Sequence, residues 1–404
     1  MLYDTFEFHS DLAAGTRSWG RMLHDAVSPW IAAGHREPAT WWNAAARMMM
    51  RTGMTHARPS YGIPSVRVGN RDVPVTEEVA LRTPFGSLLR FRKDLASDQP
   101  RVLVVAPLSG HFATLLRGTV RTLLADHDVY ITDWHNARDV PVEAGRFGFD
   151  EYVAHLVRFL EAIGPGAHLV AVCQPAVQAM AAAAVMAETG NAAHPASMTL
   201  MAGPVDTRIN PTKVNELATS KPISWFERNL IATVPRRHAG AGRRVYPGFM
   251  QVMAFMSMNA GRHMHGHLDL FWHLADGGTA KAQQIETFYD EYFAVLDLTA
   301  EFYLETVKTV FQDATLARNE LTFEGAPIDM RAIRRTALMT VEGERDDICS
   351  VGQTMAAHDL CTGLKPFRKS HHLQAGVGHY GVFSGRKWES QTYPLVRNFI
   401  QANA

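Results

Sequence analysis

Ala167-His168-Leu169-Val170-Ala171-Val172-Cys173-Gln174-Pro175-Ala176 is the stretch on which the reading of the whole chain turns. Residues 167–172 form a short apolar run of strand length, and an alanine-rich stretch of helical length, Ala176 to Glu188, begins after only three more residues. A strand, a tight turn and a helix with Cys173 at the turn make a nucleophile elbow. Such an elbow holds its side chain on a strained turn above a parallel sheet, with a helix N-terminus beneath that favours negative charge. A cysteine so placed is biased toward thiolate. A lone cysteine at a strand end is also a common small core residue, so the surrounding pattern has to decide.

Outward from the elbow, Val102-Leu103-Val104-Val105-Ala106 and Val129-Tyr130-Ile131-Thr132 precede it as continuous apolar runs, the pattern of strands buried on both faces. Helical stretches over 112–125 and 147–163 separate them, so strand and helix alternate as in a right-handed parallel α/β sheet. Met198-Thr199-Leu200-Met201, Ala337-Leu338-Met339-Thr340-Val341 and a strand near His371 to Gln374 continue it. Val79-Ala80-Leu81-Arg82 and Leu88-Leu89-Arg90-Phe91 flank Thr83-Pro84-Phe85-Gly86 as an antiparallel hairpin at the sheet edge. Phe6, Leu12, Trp19, Met22, Leu23, Val27 and Trp30 recur at helical spacing before it. The expected organisation is a helical N-terminal extension over 1–78, a core in two parts, 79–203 and 331–404, and an inserted helical cap over 204–330. In that cap Phe249, Met250, Met253, Phe255, Met256, Met258 and Met264 form an adaptable apolar cluster, with Met250, Met253, Phe255 and Met256 as candidate substrate contacts.

Forty basic and forty acidic side chains cancel, which removes the general field that draws proteins to nucleic acid or anionic membranes. Three cysteines, Cys173, Cys349 and Cys361, have neither zinc-site spacing nor the density of a disulfide scaffold, and fit a reducing cytoplasm. The first twenty residues lack a basic leader and an apolar h-region, and no apolar run reaches membrane-span length, so a cytoplasmic protein without a membrane span is expected.

Attack by a thiolate on a carbonyl needs a base, a carboxylate to orient the base, and amide donors for the oxyanion. After the strand ending at Val341, the loop Glu342-Gly343-Glu344-Arg345-Asp346-Asp347 supplies the acid: Asp346 first, with Asp347 and, from the preceding strand's loop, Asp206 as alternatives. Gly376-Val377-Gly378-His379-Tyr380-Gly381 supplies the base, His379, on a short glycine-bounded loop. Nucleophile, acid and histidine follow one another at the ends of successive strands, in the chain order of the α/β-hydrolase fold. The glycines around His379 also spell G-x-G-x-x-G, but too little chain follows for a dinucleotide-binding unit. Oxyanion donors are expected from the backbone of Gln174, directly after the nucleophile, and of Leu108 or Ser109 in Pro107-Leu108-Ser109-Gly110-His111. His263, His265 and His267 alternate suggestively, but no cysteine or carboxylate nearby completes a metal set, so none is assigned.

Ala171-Val172-Cys173-Gln174-Pro175, residues 105–117 and Gly378-His379-Tyr380-Gly381-Val382-Phe383-Ser384-Gly385 together resemble the intracellular poly(3-hydroxybutyrate) depolymerases, cysteine-type α/β-hydrolases related to the polyester synthases. The resemblance runs over nearly the whole chain. It implies a Cys173–His379–Asp346 triad, an acyl-enzyme, water or coenzyme A as acyl acceptor with no other cofactor, and a place on the surface of cytoplasmic polyester granules. Ala171 and Pro175 stand where the usual box has glycines; proline is tolerated in a helix's opening turn, and the missing glycines argue against the alternative of a synthase or related acyltransferase. A non-catalytic granule-binding protein is the second alternative.

Overall fold

The computed structural model describes residues 2–34, 38–95, 98–258 and 260–404. Two helices open the chain, α1 (Leu2–Ala32) and α2 (Ala39–Met50). The sheet follows with β1 (Ser65–Val68), β2 (Arg71–Arg82), β3 (Gly86–Lys93) and β4 (Arg101–Val105), then α3 (Arg117–Leu123), β5 (Asp128–Trp134), α4 (Phe149–Ile163), β6 (His168–Val172), α5 (Ala176–Glu188) and β7 (Ser197–Met201).

Between β7 and the next strand of the main sheet come α6 (Lys213–Thr219), α7 (Ile223–Leu230), β8 (Ala232–Thr233), β9 (Arg244–Tyr246), α8 (Gly248–Met258), α9 (Ala260–Ala275), α10 (Thr279–Tyr292), β10 (Leu298–Thr299), α11 (Ala300–Thr306), β11 (Thr322–Phe323) and β12 (Ala326–Pro327). The main sheet closes with β13 (Ala337–Gly343) and β14 (Lys369–Gln374). Its nine strands run in the order β1-β2-β3-β5-β4-β6-β7-β13-β14. Pairings are antiparallel as far as β5 and parallel from there to β14. This is the α/β-hydrolase fold.

Alternation along the buried strands sorts side chains to two layers. Leu103, Val105, Leu169, Ala171 and Leu200 face a layer with Tyr152, Phe159 and Met180 of α4 and α5. Val102, Val104, Val170, Val172 and Val341 face Leu116, Val120, Trp388 and Val396. Helix α5 is buried nearly all round, which its alanines permit because they let backbones approach closely.

Two details add to the expected organisation. The helical spacing at the N-terminus corresponds to α1 and α2, which end at Met50; beyond them β1 and β2 join at the two-residue turn of Gly69 and Asn70, with Gly69 at φ +58°. Most β2 side chains are exposed or half-exposed on both faces, so its sequence lacks the apolar alternation that marks a strand. The inserted segment is mainly helical and also holds a small antiparallel sheet of β10, β9 and β8.

Candidate active site

Cys173 has φ +65°, a left-handed conformation that costs an L-residue roughly 1–2 kcal/mol. Its surroundings hold it there. The Cys173 N–H donates to the Met201 carbonyl at 2.8 Å, α5 begins three residues later, and the chain after β7 crosses so closely that a Cβ on Gly203 would lie 2.2 Å from Ala176 Cβ and 3.1 Å from the Cys173 carbonyl oxygen. The elbow keeps the thiol half-buried at the carboxyl edge of the sheet.

Past β13 the chain folds around a buried carboxylate. Glu342 accepts hydrogen bonds from the backbone N–H groups of Gly352, Thr354 and Met355 at 2.8–3.0 Å, which fixes the loop carrying Asp346. Asp346 is fully committed in turn. Its Oδ1 accepts from the amides of Ile348 and Cys349 at 2.9 and 2.8 Å, and its Oδ2 accepts from His379 Nδ1 at 2.8 Å. His379 opens a short 3-10 turn and is buried against the ring edges of Tyr380 and Phe383. Burial by itself would lower the His379 pKa, but the charges of Asp346 and Cys173 and the hydrogen bond to Asp346 hold it well above the usual histidine value. With Nδ1 committed to Asp346, Nε2 is the nitrogen left for the thiol.

The other two acids lie differently. Asp347 is exposed. Asp206 is buried, but both its oxygens take the Arg208 guanidinium at 2.8 Å, and those hydrogen bonds lower its pKa.

The loop after β4 is held from both sides. The Ala106 carbonyl accepts from Trp134 Nε1 and the Tyr152 hydroxyl, each at 3.0 Å, and Leu296 N–H donates to the Gly110 carbonyl at 2.9 Å. His111 donates from Nε2 to the Tyr292 carbonyl at 3.2 Å; burial brings its pKa down to about 4, so it is neutral at physiological pH. Sequence reasoning passed over this histidine, whose only signal was its place in the loop. Leu108, Ser109 and Gln174 meet at one chamber with Cys173 and His379, and Leu108 N–H donates to Gln174 Oε1 at 3.3 Å.

That chamber, about 320 Å³, is walled mainly by apolar groups. Of the four candidate substrate contacts, Met250 and Phe255 line it. Met253 is 52% exposed, and Met256 packs with Val252 and Tyr292 outside it. The Met258 side chain lies outside the described residues. Trp225 and Phe226 of α7, Phe302 and Tyr303 of α11, and Phe311 supply walls that the sequence did not disclose, because helical aromatics in a cap read equally as cap core. A second cavity of about 340 Å³ adjoins it, sharing Phe255, Ile348 and Tyr380. Among the described residues neither lining contains Lys, Arg, Asp or Glu.

The three alternating histidines sit on α9. His267 stacks on Tyr289 at 4.2 Å, and His265 Nδ1 bonds the Gly261 carbonyl at 2.7 Å. His263 lies 5.1 Å from the Tyr292 ring. Among the described residues no group of three metal-binding side chains forms. Among them, too, no helix is long and apolar enough to cross a membrane.

No curated protein matches the chain. Solved structures similar to it include a putative lipase from Acinetobacter baumannii AYE, 14% identical over 82% of this chain and 93% of that one, with a TM-score of 0.44. A membrane phospholipase A described as a bacterial virulence factor is 13% identical over 95% and 98%, with a TM-score of 0.42. The thioesterase domain from the curacin biosynthetic pathway is 11% identical over 81% and 99%, also with a TM-score of 0.42. A family model described as "PHB de-polymerase C-terminus" matches residues 202–404, half of the chain, from the end of β7 through the cap to the strands that precede Asp346 and His379. The chain belongs to this PHB depolymerase family of α/β-hydrolases.

Proposed function

We propose that the protein hydrolyses ester bonds of stored poly(3-hydroxybutyrate) through Cys173, His379 and Asp346, by way of a thioester on Cys173. The observation that carries this reading is the hydrogen bond from His379 Nδ1 to Asp346, with His379 and Cys173 lining the same mainly apolar chamber. His379 draws the proton from the thiol, and the Cys173 sulfur attacks an ester carbonyl. The developing oxyanion is met by backbone amides of Gln174 and of Leu108 or Ser109. His379 then hands its proton to the departing alkoxide, which leaves as the shortened chain's hydroxyl, and the acyl group remains on sulfur. A water molecule deprotonated by His379, or the thiol of coenzyme A, attacks the thioester and releases a 3-hydroxyacyl product and the free thiol. Asp346 keeps the imidazole in one tautomer and stabilises its charged form throughout.

The granule surface is the partner this reading requires. Phe8, Leu12, Trp19, Met22 and Trp30 are all exposed and share one side of α1, each separated by nearly whole turns. The buried residues Tyr3, Glu7 and Gly20 lie on the opposite side. No Lys or Arg belongs to the outer stripe, which suits an uncharged apolar solid better than an anionic lipid surface.

The test is acid release from amorphous poly(3-hydroxybutyrate) granules by the purified protein, alongside Cys173→Ala and His379→Ala. Release by the unaltered protein and its loss in both variants supports the reading. Equal behaviour of all three overturns it.

A further inference from the structure

We infer that Gln174 and Thr306 select the acyl half of the substrate, by hydrogen bonding to oxygen atoms carried along the acyl chain; this rests on the ester-hydrolase reading above and adds to it the residues that choose the substrate.

Gln174 and Thr306 line the chamber from opposite constructions, the first turn leading into α5 and the end of α11 in the inserted segment. Both side chains are more than nine-tenths buried, with 9% and 7% of their surface exposed. Gln174 Nε2 and Thr306 Oγ1 have no hydrogen-bond partner. A threonine in a helix ordinarily returns its hydroxyl to the carbonyl one turn back, and Thr306 does not. Buried polar atoms are rarely left unpaired, because the lost hydration is not recovered, and such exceptions mark places where a ligand or an ordered water completes the set. Two unpaired groups able to donate, in a chamber whose walls are otherwise mainly apolar, require acceptors from whatever fills it.

Gln174 is tied to the chemistry as well. Its Oε1 occupies the Leu108 N–H, one of the two loop amides proposed above for the oxyanion, and a substrate carbonyl oxygen that takes this amide displaces it. The displaced carboxamide turns as a unit and offers Nε2 to the acyl chain. An acyl group bearing oxygen at its third carbon, and again in the next unit, satisfies Gln174 and then Thr306. A plain hydrocarbon chain of equal length leaves both buried and unpaired, and a site of that kind discriminates strongly against the analogue lacking the oxygen.

The experiment compares kcat/KM for the nitrophenyl esters of 3-hydroxybutyrate and butyrate, and of their two-unit and equal-length alkyl counterparts, in the unaltered protein, Gln174→Met and Thr306→Val. The unaltered protein is expected to prefer the oxygenated ester. The preference ratio should fall about five- to hundredfold in Gln174→Met with the one-unit pair, and in Thr306→Val with the two-unit pair, whatever happens to the absolute rates. A ratio unchanged in both variants overturns the inference. Calorimetric binding of the same acyl chains, as methyl esters, to Cys173→Ala separates the two readings. Absence of turnover in the unaltered protein sinks the hydrolase reading, whereas equal affinity for oxygenated and plain chains sinks the selection by Gln174 and Thr306.

Discussion

His379 Nδ1 donates to Asp346 Oδ2 at 2.8 Å although the two residues come from different loops, one after β13 and one after β14. The pair is rigid because neither oxygen of Asp346 has another place to go: Oδ1 is held by two backbone amides, and the loop itself hangs on buried Glu342. On the proposed mechanism His379→Ala removes the base and should cut ester turnover by roughly 10²–10⁴-fold. Asp346→Asn should cost a comparable factor by releasing the tautomer, while secondary structure by circular dichroism stays unchanged. An Asp346→Asn protein with full turnover would place the acid elsewhere.

The strained backbone at Cys173 predicts a trade between stability and chemistry. Glycine carries no Cβ penalty at φ +65°, whereas alanine keeps it, so with the thiol removed in both, Cys173→Gly should be about as stable as Cys173→Ala or more so despite glycine's entropic cost of about 0.5–1 kcal/mol, with turnover lost in both. Urea denaturation of the two variants side by side gives the answer, and a glycine variant less stable than the alanine one by the full entropic cost would mean that the elbow is not strained.

Gly203 should be irreplaceable for a different reason. A methyl group there would sit 2.2 Å from Ala176 Cβ, between β7 and the helix that follows Cys173. Gly203→Ala should destabilise the fold by about 1–3 kcal/mol and slow alkylation of Cys173 by displacing the elbow. An unchanged denaturation midpoint together with an unchanged alkylation rate would contradict this packing.

Much of this was legible in the sequence because it depends on local rules. The elbow shows itself as a strand, three residues and an alanine-rich helix, and the order of Cys173, Asp346 and His379 follows from strands that must be parallel. No local rule tells Asp346 from Asp206. Their surroundings differ through Arg208, two residues after Asp206, which claims both its oxygens, and through amides at Ile348 and Cys349 that only the folded loop aims at Asp346. The chamber walls were less legible still. Met253 and Met250 are one turn apart on α8 and similar in composition, yet one faces outward and one faces the chamber, and no periodicity within a helix that is apolar on all sides can tell them apart. Strand β2 stayed hidden up to Val79 because an edge strand exposed on both faces has no buried face to write into its sequence.

Acid should unfold the protein early. Burial lowers His111, His127 and His168 to a pKa of about 4 each, whereas the unfolded chain protonates its histidines near 6.5. Between those values the unfolded state binds more protons, so stability is full above about pH 6.5 and falls as pH drops toward 4, by up to roughly 1.4 kcal/mol per pH unit for each such histidine. His379 has the opposite sign: its raised pKa makes its contribution full below the unfolded value and lost as pH climbs through the folded one. Denaturation curves at pH 7, 6 and 5 should show a falling midpoint, and a flat profile would mean these histidines are not held neutral.

On granules, Trp19→Glu and Trp30→Glu should each weaken adsorption roughly tenfold, since both indoles stand in the outer stripe of α1, 68% and 62% exposed. Turnover of a small soluble ester should be unaffected, because neither residue lines either cavity. Equal adsorption by the variants, or sedimentation showing that the stripe is covered by a second copy of the chain, would remove α1 as the granule contact.

The most direct measurement of the central claim is mass spectrometry of the protein quenched in acid during the first turnovers of a nitrophenyl 3-hydroxybutyrate. A thioester-forming Cys173 predicts one 3-hydroxybutyryl group on the peptide containing Cys173, accumulating in His379→Ala only slowly and in Cys173→Ala not at all. An acyl group found on another residue, or turnover that survives Cys173→Ala, would contradict it.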